Sequence, residues 1–184
     1  MRVLLETDRL ILRQITEDDA SDLLQLDRDP EVVRFFPDLI ASPEQTKIFI
    51  NKNIAHYEEY DGYGFWAAIE KSTKQFIGWF LFRPAIHASY FDPFITDPED
   101  IELGYRLKKS AWGKGYATEG SKALISKGFN DLSATCIFAG ALAENEASWR
   151  VMEKIGLKFK TSFIDKELAK KIVVYSLQKD QLLK

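Results

Sequence analysis

The stretch Trp112-Gly113-Lys114-Gly115-Tyr116-Ala117-Thr118-Glu119 joins an alternating run, Ile101-Glu-Leu-Gly-Tyr-Arg-Leu107, to a helical pattern that reaches Phe129. Apolar side chains at 101, 103, 105 and 107 follow the two-residue period of a strand. The chain therefore passes from a strand through a small-residue turn into a helix. A helix N-terminus presents unpaired N–H groups and a partial positive charge, which together make a seat for phosphate-like oxygens. Gly113 and Gly115 let the backbone approach an anion without a Cβ in the way. Glycines between a strand and a helix also serve plain turn geometry, and on these few residues both readings stand. Two nucleotide-binding patterns fail. A P-loop needs a Gly-Lys-Ser/Thr ending after a longer glycine loop. A dinucleotide fingerprint needs a third glycine where Thr118 stands, after a first-strand βαβ context that is absent.

Upstream, Arg9-Leu-Ile-Leu-Arg13 reads as the first strand. Thr16 followed by Glu17, Asp18 and Asp19 is an N-cap with an acidic first turn, so a helix should start there. Leu23, Leu24 and Leu26 supply its apolar stripe and Pro30 should end it. A second helix should begin at Pro43-Glu44, carry Ile48, Phe49 and Ile54, and break at Asp61-Gly62. The runs 64–70 and 76–82, joined by Lys71-Ser-Thr-Lys74, read as a hairpin whose second strand is apolar on both faces. A long loop, Pro84 to Asp100, follows, and loops of that length are usually functional or mobile. Downstream, a strand is expected over 134–140, a helix over 145–155 with Gly156 as its C-cap, and strands over 157–164 and 172–178. This order gives an α/β (α+β) fold: residues 1–184 as a single domain, with a mixed central sheet of about six to seven strands flanked by helices.

Lys and Arg total 25 against 28 Asp and Glu, a formal charge of -3, with 46% hydrophobic residues. The basic excess of a nucleic-acid binder is missing, and the cluster Lys166–Lys171 reads as a solvated turn. No apolar run approaches the roughly 20 residues needed to span a bilayer, and the N-terminus lacks a signal peptide's apolar stretch. The single cysteine, Cys136, sits in an apolar run and reads as an inert core thiol. His56 and His87 lack metal-ligand spacing and read as surface residues, so no metal is expected. A cytoplasmic location is the default expectation.

Several blocks together resemble the GNAT superfamily of acetyltransferases, in the branch that includes the Rim-type ribosomal-protein N-terminal acetyltransferases. They are Leu5-Glu-Thr-Asp-Arg-Leu-Ile-Leu-Arg13, Asp29-Pro-Glu-Val-Val33, Glu102-Leu-Gly-Tyr105, Trp112-Gly-Lys-Gly-Tyr-Ala-Thr-Glu119 and Asn145-Glu-Ala-Ser-Trp-Arg-Val-Met-Glu-Lys-Ile-Gly156. Each is loose alone; their order and spacing over nearly the whole chain are specific. Gly115 and Ala117 match the superfamily's phosphate motif, whereas Trp112 stands where Gln or Arg is usual. The resemblance implies acetyl-CoA as co-substrate, with its pyrophosphate on the backbone of Gly113, Lys114, Gly115, Tyr116, Ala117 and Thr118, next to Trp112. It implies a pantetheine arm running beside Tyr105, Arg106 and Leu107 and touching Asn145, with Ser148 near the sulfur. Asn145 equally suits a helix N-cap, and Ser148 could simply belong to a first helical turn.

Acetyl transfer needs a neutral amine, a stabilised oxyanion and a protonated leaving thiolate. Glu102 is the candidate base, since a carboxylate on an interior strand costs free energy unless it has a partner or a task. The competing reading is a structural pair between Glu102 and Arg106. Arg34-Phe-Phe36 and the 84–100 loop, with Tyr90, Phe91 and Phe94, are expected to wall an acceptor site; packing or a contact with a second copy of the chain explains those aromatics equally well. The acidic loop residues Asp92, Asp97, Glu99 and Asp100 read as solvated, though they would also suit a cationic acceptor. The expected partners are acetyl-CoA and an amine, either a peptide N-terminus or a small molecule. A non-catalytic acyl-CoA-binding module and a protein-interaction domain with a structural glycine turn are the alternatives.

Overall fold

A computed structural model describes residues 2–36, 41–88, 96–166 and 168–183. The chain divides into two compact units, Met1–Phe82 with Tyr105–Gly120, and Arg83–Gly104 with Ser121–Lys184. The described residues form a mixed α/β fold with eight strands.

In the first unit, β1 (Val3–Glu6), β2 (Leu10–Gln14), β3 (Gly64–Glu70) and β4 (Phe76–Pro84, to Phe82 here) pair antiparallel in sequence order. The Tyr105–Leu107 end of β5 (Ile101–Leu107) belongs to this unit, and just beyond it Lys108 N–H bonds Ile77 O at 2.8 Å. The helices α1 (Ala20–Arg28), α2 (Pro30–Val33) and α3 (Pro43–Glu59) supply the other side of the core. Ile15, Leu23, Leu26, Val32 and Ile50 pack with Ala67, Ile69 and Phe76 into one buried cluster. Burying each large aliphatic side chain is worth about 1.5–3 kcal/mol. Arg13 ties strand to helix by a two-pronged bond to the buried Asp19 carboxylate, at 2.6 and 2.7 Å, and the same carboxylate takes the Thr16 N–H at 2.9 Å.

In the second unit, the Ile101–Gly104 end of β5 runs parallel to β6 (Cys136–Leu142), followed by antiparallel β8 (Lys170–Gln178) and β7 (Lys158–Asp165). The later part of α4 (Tyr116–Asp131) contributes the fully buried Leu124 and Phe129. The amphipathic α5 (Glu146–Lys154) turns Met152 inward against this part of the sheet. It ends at Gly156, whose φ of +96° fits the expected C-cap.

Several expectations need correction. The eighth strand is β1, a four-residue edge strand of Val-Leu-Leu-Glu with both ends exposed, too short to show a period. Pro30 opens α2 after α1 has stopped at Arg28, because proline's fixed φ suits a first helical position. Ile48 and Ile54 of α3 are 46% and 38% exposed, and the buried face is Thr46, Ile50 and Asn53. Asn53 bonds Phe49 O and Phe65 N–H, so a polar residue occupies the inner stripe with its hydrogen bonds made.

Gly120, in the first turns of α4, presses on the ring of the fully buried Phe80, which any Cβ there would overlap. Gly120→Ala is expected to lower stability by about 1–3 kcal/mol through overpacking, read as a shifted urea midpoint. Combining it with Phe80→Leu should recover part of the loss.

Candidate functional site

In the first unit, the chain leaves β5 at Leu107, makes one 3-10 turn over Lys109–Ala111, and reverses through Trp112–Gly115 into α4. All four residues of that reversal are exposed. Gly113 and Gly115 hold φ of +71° and +84°, a region that favours glycine. Glu119 N–H bonds Gly115 O at 3.0 Å, so the amides before it lie ahead of the helix's own ladder. Trp112 is 42% exposed, and its indole N–H folds back onto Leu107 O at 2.8 Å. Tyr116 is buried beneath the turn and donates to the Glu70 carboxylate. A shallow depression of about 370 Å³ lies alongside, lined by Asp8, Arg9, Lys71, Ser72 and Tyr116.

Arg9 and Glu119 brace this turn, and sequence reasoning assigned a function to neither. Arg9 reaches the Glu119 carboxylate at 2.5 and 2.6 Å and Lys114 O at 2.9 Å. Glu119 also accepts the Arg9 N–H at 2.9 Å and the Thr7 hydroxyl at 2.5 Å. Burial alone would raise the Glu119 carboxyl. The Thr7 hydroxyl and the Arg9 N–H and guanidinium outweigh burial and hold it below the ordinary 4.5. Thr7, Arg9 and Glu119 all lie within quoted sequence blocks, but their meeting across more than a hundred residues has no local signature.

Tyr105, Arg106 and Leu107 adjoin the turn, and their side chains face protein. The Tyr105 ring lies 6.0 Å from Phe80. Arg106 pairs with Asp27 at 2.6 Å and lies over Phe36 and Trp79 at 4.2 and 5.1 Å. The competing reading, an Arg106–Glu102 pair, is not what forms: Arg106 pairs with Asp27. Lys108–Asp22 and Lys109–Glu31, at 2.6 and 2.8 Å, extend the same series of ion pairs between this segment and α1 and α2.

The second unit holds Glu102, Asn145 and Ser148. Glu102 is 5% exposed, lies beside Phe138 in the β5–β6 register, and takes Arg83 Nε on Oε2 at 2.7 Å. The guanidinium compensates a carboxylate charge that would otherwise be costly to bury. Arg83 was missed because it lies nineteen residues from Glu102 in sequence and their pairing has no local signature. Asn145 is the N-cap of α5: its side-chain oxygen takes the Ser148 N–H at 3.3 Å, and its own N–H bonds Leu142 O at 2.8 Å. The structure thus joins Asn145 to Ser148, which sits half-buried in the first turn.

Cys136 is buried, and burial first, then Asp100, pushes its thiol up to about 12. A thiol so rarely ionised is a poor nucleophile. His87 is exposed, but His56 is half-buried and stacked on Tyr60 at 4.7 Å, contrary to the surface reading. Asp100 is also buried, where a solvated residue was expected; it takes the Asp97 N–H at 3.1 Å and lies 3.9 Å from Lys160. Tyr90, Phe91, Asp92 and Phe94 lie outside the described residues. Among the described residues, no group of three or more His, Cys, Asp or Glu side chains is arranged to hold a metal, and no helix is long and apolar enough to cross a membrane.

A carboxyl held below its ordinary value adds stability that is present above pH 4.5 and lost as pH falls through its folded value. The stability advantage of the native protein over Glu119→Gln, read from thermal unfolding, should therefore be full at neutral pH and shrink below pH 4.5. An advantage independent of pH would remove the charge from the brace.

Comparison with known proteins places this architecture. A family profile described as an acetyltransferase (GNAT) domain matches residues 9–158, a span that includes the turn, Glu102, Asn145 and Ser148. The uncharacterized N-acetyltransferase YoaA of Bacillus subtilis (strain 168) is 34% identical over 156 residues, which cover 84% of this chain and 82% of that protein. Among solved structures, a GNAT-family acetyltransferase from Bacillus anthracis matches with a TM-score of 0.79 at 24% identity, covering 98% of this chain and 99% of that one. RimL, a ribosomal L7/L12 alpha-N-protein acetyltransferase solved with coenzyme A, shares the fold with a TM-score of 0.75 at 17% identity, covering 96% of this chain and 98% of that one. The chain belongs to the GNAT acetyltransferase family and is an acetyltransferase.

Proposed function

We propose that the protein transfers an acetyl group from acetyl-CoA to a primary amine, on a peptide N-terminus or a small molecule, by direct attack in a ternary complex. The observation that carries this reading is the exposed turn Trp112–Gly115, with two positive-φ glycines ahead of the α4 N-terminus. Amides in that setting suit the pyrophosphate oxygens of CoA. The side chains of residues 105–107 are engaged within the protein, so their main chain is what a pantetheine arm would pair with.

In the reaction, the amine nitrogen attacks the thioester carbonyl carbon. The tetrahedral oxyanion is stabilised by main-chain N–H groups near residues 103–105. The C–S bond then breaks, and CoA leaves as a thiolate that accepts a hydrogen bond from the Ser148 hydroxyl and takes its proton from water. The ammonium proton goes to Glu102, directly or through water. Arg83 engages Oε2 of Glu102, so Oε1 is the oxygen turned to this task. Asn145 caps α5 through its carbonyl oxygen, which leaves its side-chain amide N–H group to hold the pantetheine arm.

A screen of acetyl-CoA consumption over peptide N-termini and small amines identifies the acceptor. With that acceptor, Glu102→Gln should lower kcat about 100-fold, the scale of general-base catalysis, and abolish the rise of rate with pH. An unchanged rate and profile would take Glu102 out of the mechanism.

A further inference from the structure

Arg9 lies far from the turn in sequence and beside it in space, and it is committed to the turn's geometry. Its Nε and Nη2 grip the Glu119 carboxylate and its Nη1 holds Lys114 O at 2.9 Å. Its guanidinium covers the Tyr116 ring at 4.6 Å. A Cβ at Gly115 would meet Arg9 Nη2 at 3.4 Å, so the arginine lies against the turn itself. Each guanidinium nitrogen therefore has a protein partner. The peptide joining Lys114 to Gly115 is planar, so its N–H points opposite to its carbonyl. Drawing Lys114 O towards Arg9 directs Gly115 N–H away from Arg9. Glu119 fixes the arginine and, with Thr7, anchors it to the start of the chain.

Resting on the reading of this turn as the pyrophosphate seat, we propose that Arg9 is a positioning residue. Clamped by Glu119, it sets the direction of the turn's amides without itself contacting the ligand. The pair also cancels a carboxylate charge that would otherwise repel an anion beside the helix N-terminus. A fork-shaped guanidinium can bridge a carboxylate and a carbonyl at once; an ammonium, though equally charged, cannot hold both in that geometry.

The test measures dissociation constants by calorimetry on the full chain and on Arg9→Ala, Arg9→Lys and Glu119→Gln, with thermal unfolding as the check on folding. The probes are dephospho-CoA, which keeps the pyrophosphate but lacks the 3′-phosphate, and pantetheine, which lacks both. The expected result is a loss of about tenfold or more for dephospho-CoA in both Arg9 variants, with pantetheine binding unchanged. Glu119→Gln, which still offers an oxygen to Thr7 and Arg9, should fall between them and the native protein. Full retention of dephospho-CoA affinity in Arg9→Lys would overturn the strut in favour of a simple charge contact. Equal losses for both probes would overturn it in favour of general destabilisation. A native protein that binds both probes equally would overturn the pyrophosphate seat itself, and this inference with it. A native preference for dephospho-CoA that survives in Arg9→Ala overturns the role of Arg9 alone.

Discussion

A helix cannot bond its own first amides, and the candidate seat in the first unit rests on that constraint. The chain leaves β5 at Leu107 and must reverse before α4 begins. It does so through two glycines in conformations that other residues adopt at a cost, and the reversal is exposed. Elsewhere in a fold such amides are covered by a capping side chain or by water. Here the first-turn carboxylate, Glu119, is engaged by Arg9 and Thr7, and Tyr116 donates to Glu70. In the proposed reading the amides of this braced turn are the donors an anion meets, and the brace spares the backbone a reorganisation on binding.

The second unit answers a different physical demand. A buried carboxylate is tolerated only with a partner, and Arg83 supplies it for Glu102 at 2.7 Å. Asn145 caps α5 through its side-chain oxygen, which accepts the Ser148 N–H. Cys136, by contrast, is a buried thiol with a raised pKa, placed where ionisation is disfavoured. That agrees with direct transfer in the proposed mechanism, which needs no acetyl-cysteine.

Much of this was legible because the relevant signals are local. Strand period at 101–107, the glycines of the turn, the Thr16 start and the Gly156 stop depend only on neighbours in sequence. What escaped is set by register and long-range packing. The edge strand Val3–Glu6 is too short to display a period. The partner of Glu102 is Arg83, nineteen residues away in sequence, and Arg106 pairs instead with Asp27 on α1. Asp100 and His56 looked solvated by residue type, and tertiary contacts bury them wholly or in part. The Arg9–Glu119 brace spans more than a hundred residues, and no short pattern could announce it.

The most direct test of the account is a crystal structure of the protein with CoA. The account predicts pyrophosphate oxygens within about 2.7–3.2 Å of backbone nitrogens between Gly113 and Thr118, with Arg9 still bonded to Glu119 and Lys114 O. A pyrophosphate seated elsewhere, with these amides facing only water, would contradict it.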